Sequence, residues 1–270
     1  MIPGFRLTLG ITLTYAGIII LLPIAAMLLK SSSLGFEEFW RIVTSRRAMS
    51  AYSVTFGSAA IATLFNAGFG LLCAWVLVRY DFVGKRALDA LIDVPLALPT
   101  AVAGLTLVTL FSENGWYGSV LTPLGFSVNY TQAGIIVAMA FTSIPFVVRS
   151  VQPVLEEIQP EIEEAAKTLG ATRWQVFSRV VWPLITPAFM AGSVTAFARS
   201  LGEFGAVVFI AGNLPGLTEI VSLLIYIRLD EYNYPAAAAL ATVLLVAAFV
   251  TMLLNNLLQR WQLRYMDRST

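Results

Sequence analysis

The chain has 270 residues, of which 58% are hydrophobic and only 12% charged, with a net charge of +1. A soluble domain would carry roughly a quarter charged residues, so the composition is that of an integral membrane protein. The near-zero net charge argues against a nucleic-acid partner. The lack of histidine and the single Cys73, set in an apolar run, remove disulfides, Cys/His metal sites and histidine acid–base chemistry.

An ATP-binding phosphate loop needs glycine, four residues and then Gly-Lys-Ser/Thr. The one Gly-Lys pair, Gly84-Lys85, is followed by Arg86, and Arg79 stands where the first glycine belongs. Any ATP used by this protein is therefore expected to be bound, with Mg, by another chain, and no cofactor is expected here.

A hydrocarbon core of about 30 Å needs about 20 apolar helical residues. Six runs qualify: Leu7 to Leu29, Ser53 to Val78, Leu91 to Phe111, Gln132 to Val151, Leu184 to Ile210, and Pro235 to Leu258. The first is longer than a signal-peptide core and runs into Lys30 without a small-x-small cleavage site, so it reads as a retained helix. Eleven Lys and Arg fall at the termini and in the second and fourth loops, against five in the other loops. The bias places both termini and the fourth loop in the cytoplasm.

In the third run, Pro95 and Pro99 free backbone groups. That loosening suits either part of a gate or a packing kink. The third loop, 112–131, is turn-rich and carries Trp116, Tyr117 and Tyr130, which suit an interfacial aromatic belt or a docking surface for an outer partner. In the fifth loop, Thr218 is expected to cap a short helix ending at Tyr226, with Glu219 in its first turn.

The cytoplasmic fourth loop, 152–183, is the unusual segment. Pro160 suits a first helical position, and Glu161, Glu163 and Glu164 place negative charge on the positive helix end. Ala165, Ala166 and Leu169 continue the helix, and Gly170 stands where a left-handed residue ends it. Thr172 to Gln175 fits a capping box that opens a second short helix, with Trp174, Phe177, Val180 and Val181 on its apolar side. Pro183 and Pro187 then lead into the fifth run. Two capped helices around a glycine corner, with small Ala165 and Ala166 permitting close approach, make a rigid peg for a groove on another protein.

The fifth run also holds two charges. Arg199 and Glu203 are four apart and are expected on one helix face. They form either a pair that locks the helix bundle or a pair facing an anion path. One charge of each sign gives no net attraction for a divalent anion, so tight retention is not expected. Gly202 and Gly205 flank Glu203 and allow close packing or local flexing.

The pattern Glu164-Ala165-Ala166, three residues, Gly170, then an apolar helix ending near Pro183 resembles the EAA loop of ABC-importer permeases, with Val181 as the aliphatic residue before the proline. VPLALPTAVAGLTL (94–107), AMAFTSIPFVVRSVQPVLEE (138–157) and RSLGEFGAVVFIAGN (199–213) are similar to T subunits of sulfate/thiosulfate permeases. Molybdate permeases are similar in the same places.

The resemblance implies an all-α type I importer fold with six transmembrane helices in a bacterial cytoplasmic membrane. Residues 1–48 would hold the first helix and outer loop, 49–258 the permease domain, and 259–270 a cytoplasmic tail. Glu163, Glu164, Ala165, Ala166, Leu169, Gly170 and Ala171 would couple the chain to an ATPase dimer. A homologous second permease subunit and a periplasmic sulfate/thiosulfate-binding protein would complete the machine. Transport of molybdate or tungstate is the neighbouring alternative. An ion-driven secondary transporter fits less well, with Glu203 the one deep acid and no repeat between halves. A membrane enzyme lacks a nucleophile–base pair.

Overall fold

The computed structural model describes the backbone of residues 5–266 and, apart from Arg6, the side chains of residues 5–257. The side chains of Arg6, Leu258, Arg260, Arg264 and Arg268, which enter the expected orientation and span limits, lie outside the described residues. Every described element is helical, because apolar chain in lipid must satisfy its backbone groups internally.

Helix α1 (Phe5–Ala16) passes through a π turn (Gly17–Leu21) into α2 (Leu22–Ser32). Together they make the first span, Leu7–Ser32, whose most apolar stretch buries nothing within this chain. A short helix α3 (Phe36–Val43) follows the corner at Gly35. Helix α4 (Arg46–Arg79) is capped by Ser45, whose Oγ accepts from the Ala48 N–H at 3.3 Å. Its buried residues Ala48, Ala51, Thr55, Ser58, Ala62, Asn66, Gly70 and Ala74 recur every three or four positions. That small-residue stripe lets the backbone come close to α8 (Gln132–Glu157), its main partner. A Cβ at Gly70 would already lie 3.0 Å from Val147.

The third run is not one straight span. Helix α5 (Lys85–Ala97) and α6 (Thr100–Phe111) meet at a bend of 116°. Pro95 is accommodated inside α5, whereas Pro99 ends it: Leu98 is extended, at φ −77° and ψ 136°, as a residue before proline prefers. Twelve residues of α6 reach about 18 Å, short of a full crossing. The loosening expected at these prolines is thus a full break between two helices.

The outer connection contains α7 (Gly118–Leu121) and a 3₁₀ turn (Thr122–Leu124), with Trp116, Tyr117 and Tyr130 exposed. Beyond the far end of α8, on the side that the charge bias assigns to the cytoplasm, lie α9 (Pro160–Thr168) and α10 (Arg173–Val176). Helix α10 is not a separate short helix. It runs through a π turn (Phe177–Val181) into α11 (Trp182–Leu201), so Arg173–Leu201 is one 29-residue span. The fifth run in turn stops earlier than its hydrophobicity suggests. Helix α11 ends at Leu201, and a separate α12 (Gly205–Ile210) takes the chain onward.

Helix α13 (Val221–Asp230) begins after the expected cap. Thr218 does not cap it: its Oγ1 accepts from the Leu214 N–H at 3.0 Å, and the Val221 N–H instead donates to Thr55 Oγ1 on α4 at 2.9 Å. Helix α14 (Tyr234–Met266) closes the bundle and runs through most of the expected tail. Among the described residues five helices are long and apolar enough to cross a membrane, or up to six when the bent α5–α6 pair counts as one span.

Three apolar clusters of buried side chains hold the bundle among the described residues. One joins Leu107, Ile135, Met139, Leu201, Ala206 and Ile210. A second, toward α9 and α10, joins Val147, Val151, Leu155, Val181 and Ile185. A third joins Ala48, Ala51, Val221, Leu224 and Leu240.

Candidate functional sites at the cytoplasmic knob and the helix breaks

The peg of the fourth loop, a knob built of α9, the Gly170 corner and α10, folds as its sequence dictates. Pro160 opens α9, with Glu161 and Glu163 in the first turn. At its end the Ala171 N–H donates to the Ala166 carbonyl (3.1 Å) and the Gly170 N–H to the Lys167 carbonyl (2.9 Å). This is the paired Schellman closure, and Gly170 takes φ +86° to make it. Both halves of the capping box are present: Gln175 N–H to Thr172 Oγ1 (3.3 Å) and Thr172 N–H to Gln175 Oε1 (2.8 Å).

No side chain of α9 is buried. Glu164, Ala165, Leu169 and Gly170 are exposed, Leu169 by 89%, while Ala166 and Ala171 are half-buried. The knob thus presents an apolar tip on a doubly capped corner. Glu163 departs from the rest: it turns back and pairs with Arg79 at the end of α4.

The charges of the fifth run meet, but not on one helix. Arg199 lies in the last turn of α11, and Glu203 lies beyond its end. Arg199 Nη1 is 2.8 Å from Glu203 Oε2, an ion pair by distance without hydrogen-bond alignment. Glu203 Oε1 accepts from the Ala206 N–H at 3.1 Å and so caps α12. The carboxylate is 1% exposed and the arginine 34%, so the pair shows its positive member outward.

The break around Glu203 sits against the break around Pro99. A Cβ on Gly205 would lie 2.1 Å from Thr100 Oγ1, and one on Gly104 would lie 2.5 Å from the Ala206 carbonyl oxygen. Both glycines are needed for α6 and α12 to cross in contact.

Three polar sets escaped the sequence reading. Beside Arg199, Ser200 Oγ lies 3.2 Å from Ser143 Oγ, which accepts from Asn66 Nδ2 at 2.8 Å; all three side chains are fully buried and join α4, α8 and α11. Asn66, isolated among small and apolar neighbours, was the available signal. Arg149 on α8 donates to Asp93 through Nε (2.8 Å) and Nη2 (2.7 Å), and through Nη1 to Asp89 (2.6 Å) and Gln152 (2.7 Å), which fastens α5 to α8. The i, i+4 spacing of Asp89 and Asp93 marked that face. Arg47 pairs with Glu219 through Nε (2.8 Å) and Nη2 (2.6 Å), and nothing local announces it.

Comparison with known proteins adds a second line. Residues 66–264 match the family "Binding-protein-dependent transport system inner membrane component". The chain is 54% identical to the sulfate transport system permease protein CysT of Escherichia coli, over 96% of this chain and 94% of that protein. It is 48% identical to CysT of a Synechocystis species, over 94% and 89% of the two. Its fold matches the crystal structure of a bacterial alginate ABC transporter bound to an alginate pentasaccharide-bound periplasmic protein, with a TM-score of 0.78 at 21% identity, covering 94% of this chain and 93% of that one. The MetNI methionine ABC transporter in inward-facing conformation gives 0.58 at 18% identity, over 83% and 96%.

Proposed function

From the premise that this chain belongs to the family of binding-protein-dependent transport inner-membrane components, we propose that it is the permease subunit of an ATP-driven importer of sulfate or thiosulfate. The geometric observation that carries the permease role is the knob: a rigid corner, capped on both sides, with Leu169 and the Ala165 face open to a partner. Ala166, Gly170 and Ala171 set the corner's shape, and Glu164 supplies an exposed charge at its edge. A knob of this kind seats in a cleft of an ATPase subunit, so that closure of an ATP-Mg-loaded ATPase dimer moves the membrane helices. The chain itself is a transport subunit and not an enzyme.

The sulfate assignment rests on identity to the sulfate permeases. A homologous second permease subunit would complete the passage, and a periplasmic sulfate/thiosulfate-binding protein would deliver the anion. We place the Arg199–Glu203 pair beside that passage. The pair lies where α11 breaks, its arginine faces outward, and its buried carboxylate offsets the positive charge. Such a pair can guide a divalent anion without retaining it.

The test is reconstitution of the complete complex with its binding protein in proteoliposomes. Sulfate-loaded binding protein should stimulate ATP hydrolysis and drive sulfate uptake. Stimulation by molybdate-loaded protein alone would move the assignment to the molybdate class. Uptake without any ATPase subunit would replace the importer reading with an ion-driven one.

A further inference from the structure

Glu163 stands among the residues expected to face the ATPase, yet the structure turns it inward. Its side chain is 16% exposed and is paired with Arg79, itself 20% exposed. Its neighbours Glu161, Ile162 and Glu164 are exposed. Arg79 is the last residue of the 34-residue α4, whose stripe of small residues packs along α8.

The same end of α4 holds the other flank of the glycine corner. The Arg79 guanidinium lies 5.5 Å from the centre of the Trp75 ring. Trp75 meets Phe177 edge to face at 5.4 Å, and Phe177 lies 5.6 Å from Trp174 of α10. Thus α9 reaches the last turn of α4 through an ion pair, and α10 with its π turn reaches it through aromatic rings. Helix α9 buries no side chain and packs on α10, so this ion pair is its direct side-chain link to α4. A force on α9 that did not pass through Arg79 would travel through α10 and the short links on either side of α9.

We infer that Glu163 and Arg79 form an internal strut that makes the coupling helix and α4 move as one body, so that Glu163 is a positioning residue and not an ATPase contact. The inference rests on the reading of α9 as a coupling helix. The division of labour within the motif follows: the exposed Glu164 and Leu169 meet the partner, while Glu163 passes the displacement inward. Along α4 that displacement reaches Asn66 and its hydrogen bonds to the Ala140 carbonyl (2.9 Å) and Ser143 of α8.

The experiment uses the complete importer in proteoliposomes, with uptake expressed per assembled complex. Arg79→Glu and Glu163→Arg should each lower sulfate uptake by about tenfold, and the double exchange Arg79→Glu/Glu163→Arg should restore most of it, as expected of directly coupled residues. Arg79→Glu should not rescue Glu164→Arg. A second measurement does not depend on the swapped pair folding well. In a Cys73→Ala background, Arg79→Cys/Glu163→Cys should be impaired when reduced and should regain uptake when bridged by a short bis-methanethiosulfonate cross-linker, in which each cysteine sulfur displaces a methanesulfinate.

Single variants that transport like the wild type overturn the strut, and so does bridging that stops uptake or fails to restore it. If the wild-type complex itself shows no stimulation of ATP hydrolysis by sulfate-loaded binding protein, the importer reading fails first and takes the strut with it. A coupled wild type with indifferent variants removes the strut alone.

Discussion

Arg47 and Glu219 grip one another across 172 residues of sequence, with Nε to Oε2 at 2.8 Å and Nη2 to Oε1 at 2.6 Å. The pair fastens the start of α4 to the loop before α13, helped by Ser50 Oγ donating to the Gly216 carbonyl at 3.0 Å. Glu219 is 1% exposed and Arg47 35% exposed. Removing the arginine strands a buried carboxylate, which for a fully buried pair costs about 3–5 kcal/mol; the arginine's partial exposure lowers this to about 2 kcal/mol. Arg47→Ala should therefore lower the melting temperature of the purified subunit in detergent clearly more than Arg41→Ala, whose Glu38 pair is at the surface. Equal effects of the two would show that the Glu219 pair does not hold the outer loop.

Gly104 is needed for a different reason. With a Cβ 2.5 Å from the Ala206 carbonyl oxygen, no side chain fits while α6 and α12 stay in contact. The obstacle is backbone and cannot rotate away. Gly104→Ala should cost about 1–3 kcal/mol, the usual range for overpacking, and Gly104→Val more. Gly202→Ala is the control, because there the nearest atom is 3.8 Å away and the backbone φ is −89°. Uptake by complexes bearing each variant should fall for Gly104→Ala and stay near wild type for Gly202→Ala.

What the sequence conveys well is what neighbouring residues decide among themselves. Pro160, Gly170 and the Thr172–Gln175 box act within four or five residues, and each forms as its chemistry requires. The apolar runs are equally local. The breaks at Leu98–Pro99 and Gly202 were visible as residues but not as geometry, since Pro95 is absorbed into α5 while Pro99 ends it. Which proline breaks a helix depends on what packs beside it, here Gly205 against Thr100. Thr218 shows the opposite failure. Its capping chemistry is real but is spent on Leu214, and the helix it was expected to start is capped from α4 by Thr55. The pairings of Arg149 and Arg47 join residues 56 to 172 positions apart: the spacing of Asp89 and Asp93 marks a face without naming its partner, and the Arg47–Glu219 pair has no local signature at all.

Gly170 tests the knob's shape apart from its contacts. A Cβ there would meet nothing within 4 Å, so the whole penalty of substitution lies in φ +86°. A left-handed alanine costs about 1–2 kcal/mol. Gly170→Ala should weaken coupling while leaving membrane insertion intact, Gly170→Asn should be milder, and Gly170→Pro should abolish transport. Stimulation of ATP hydrolysis by loaded binding protein, set against the amount of assembled complex, ranks the three. The reverse order would mean that the corner is not held in the left-handed conformation when the ATPase is bound.

The Arg199–Glu203 pair separates passage from packing. Glu203→Gln keeps an acceptor for the Ala206 N–H, so the cap on α12 survives and only the negative charge is lost. If the pair borders the anion path, the unneutralised Arg199 should hold a divalent anion longer. Turnover should then drop by about tenfold, and sulfate should become detectable on the isolated complex by calorimetry. Arg199→Gln should be harsher, since it leaves a carboxylate at 1% exposure facing an incoming anion. The double replacement Arg199→Leu/Glu203→Leu discriminates. A pair that only locks the bundle can be exchanged for apolar packing at little cost, and uptake per complex would persist. A pair beside the passage cannot be exchanged in this way, and the double variant should remain folded, assembled and slow.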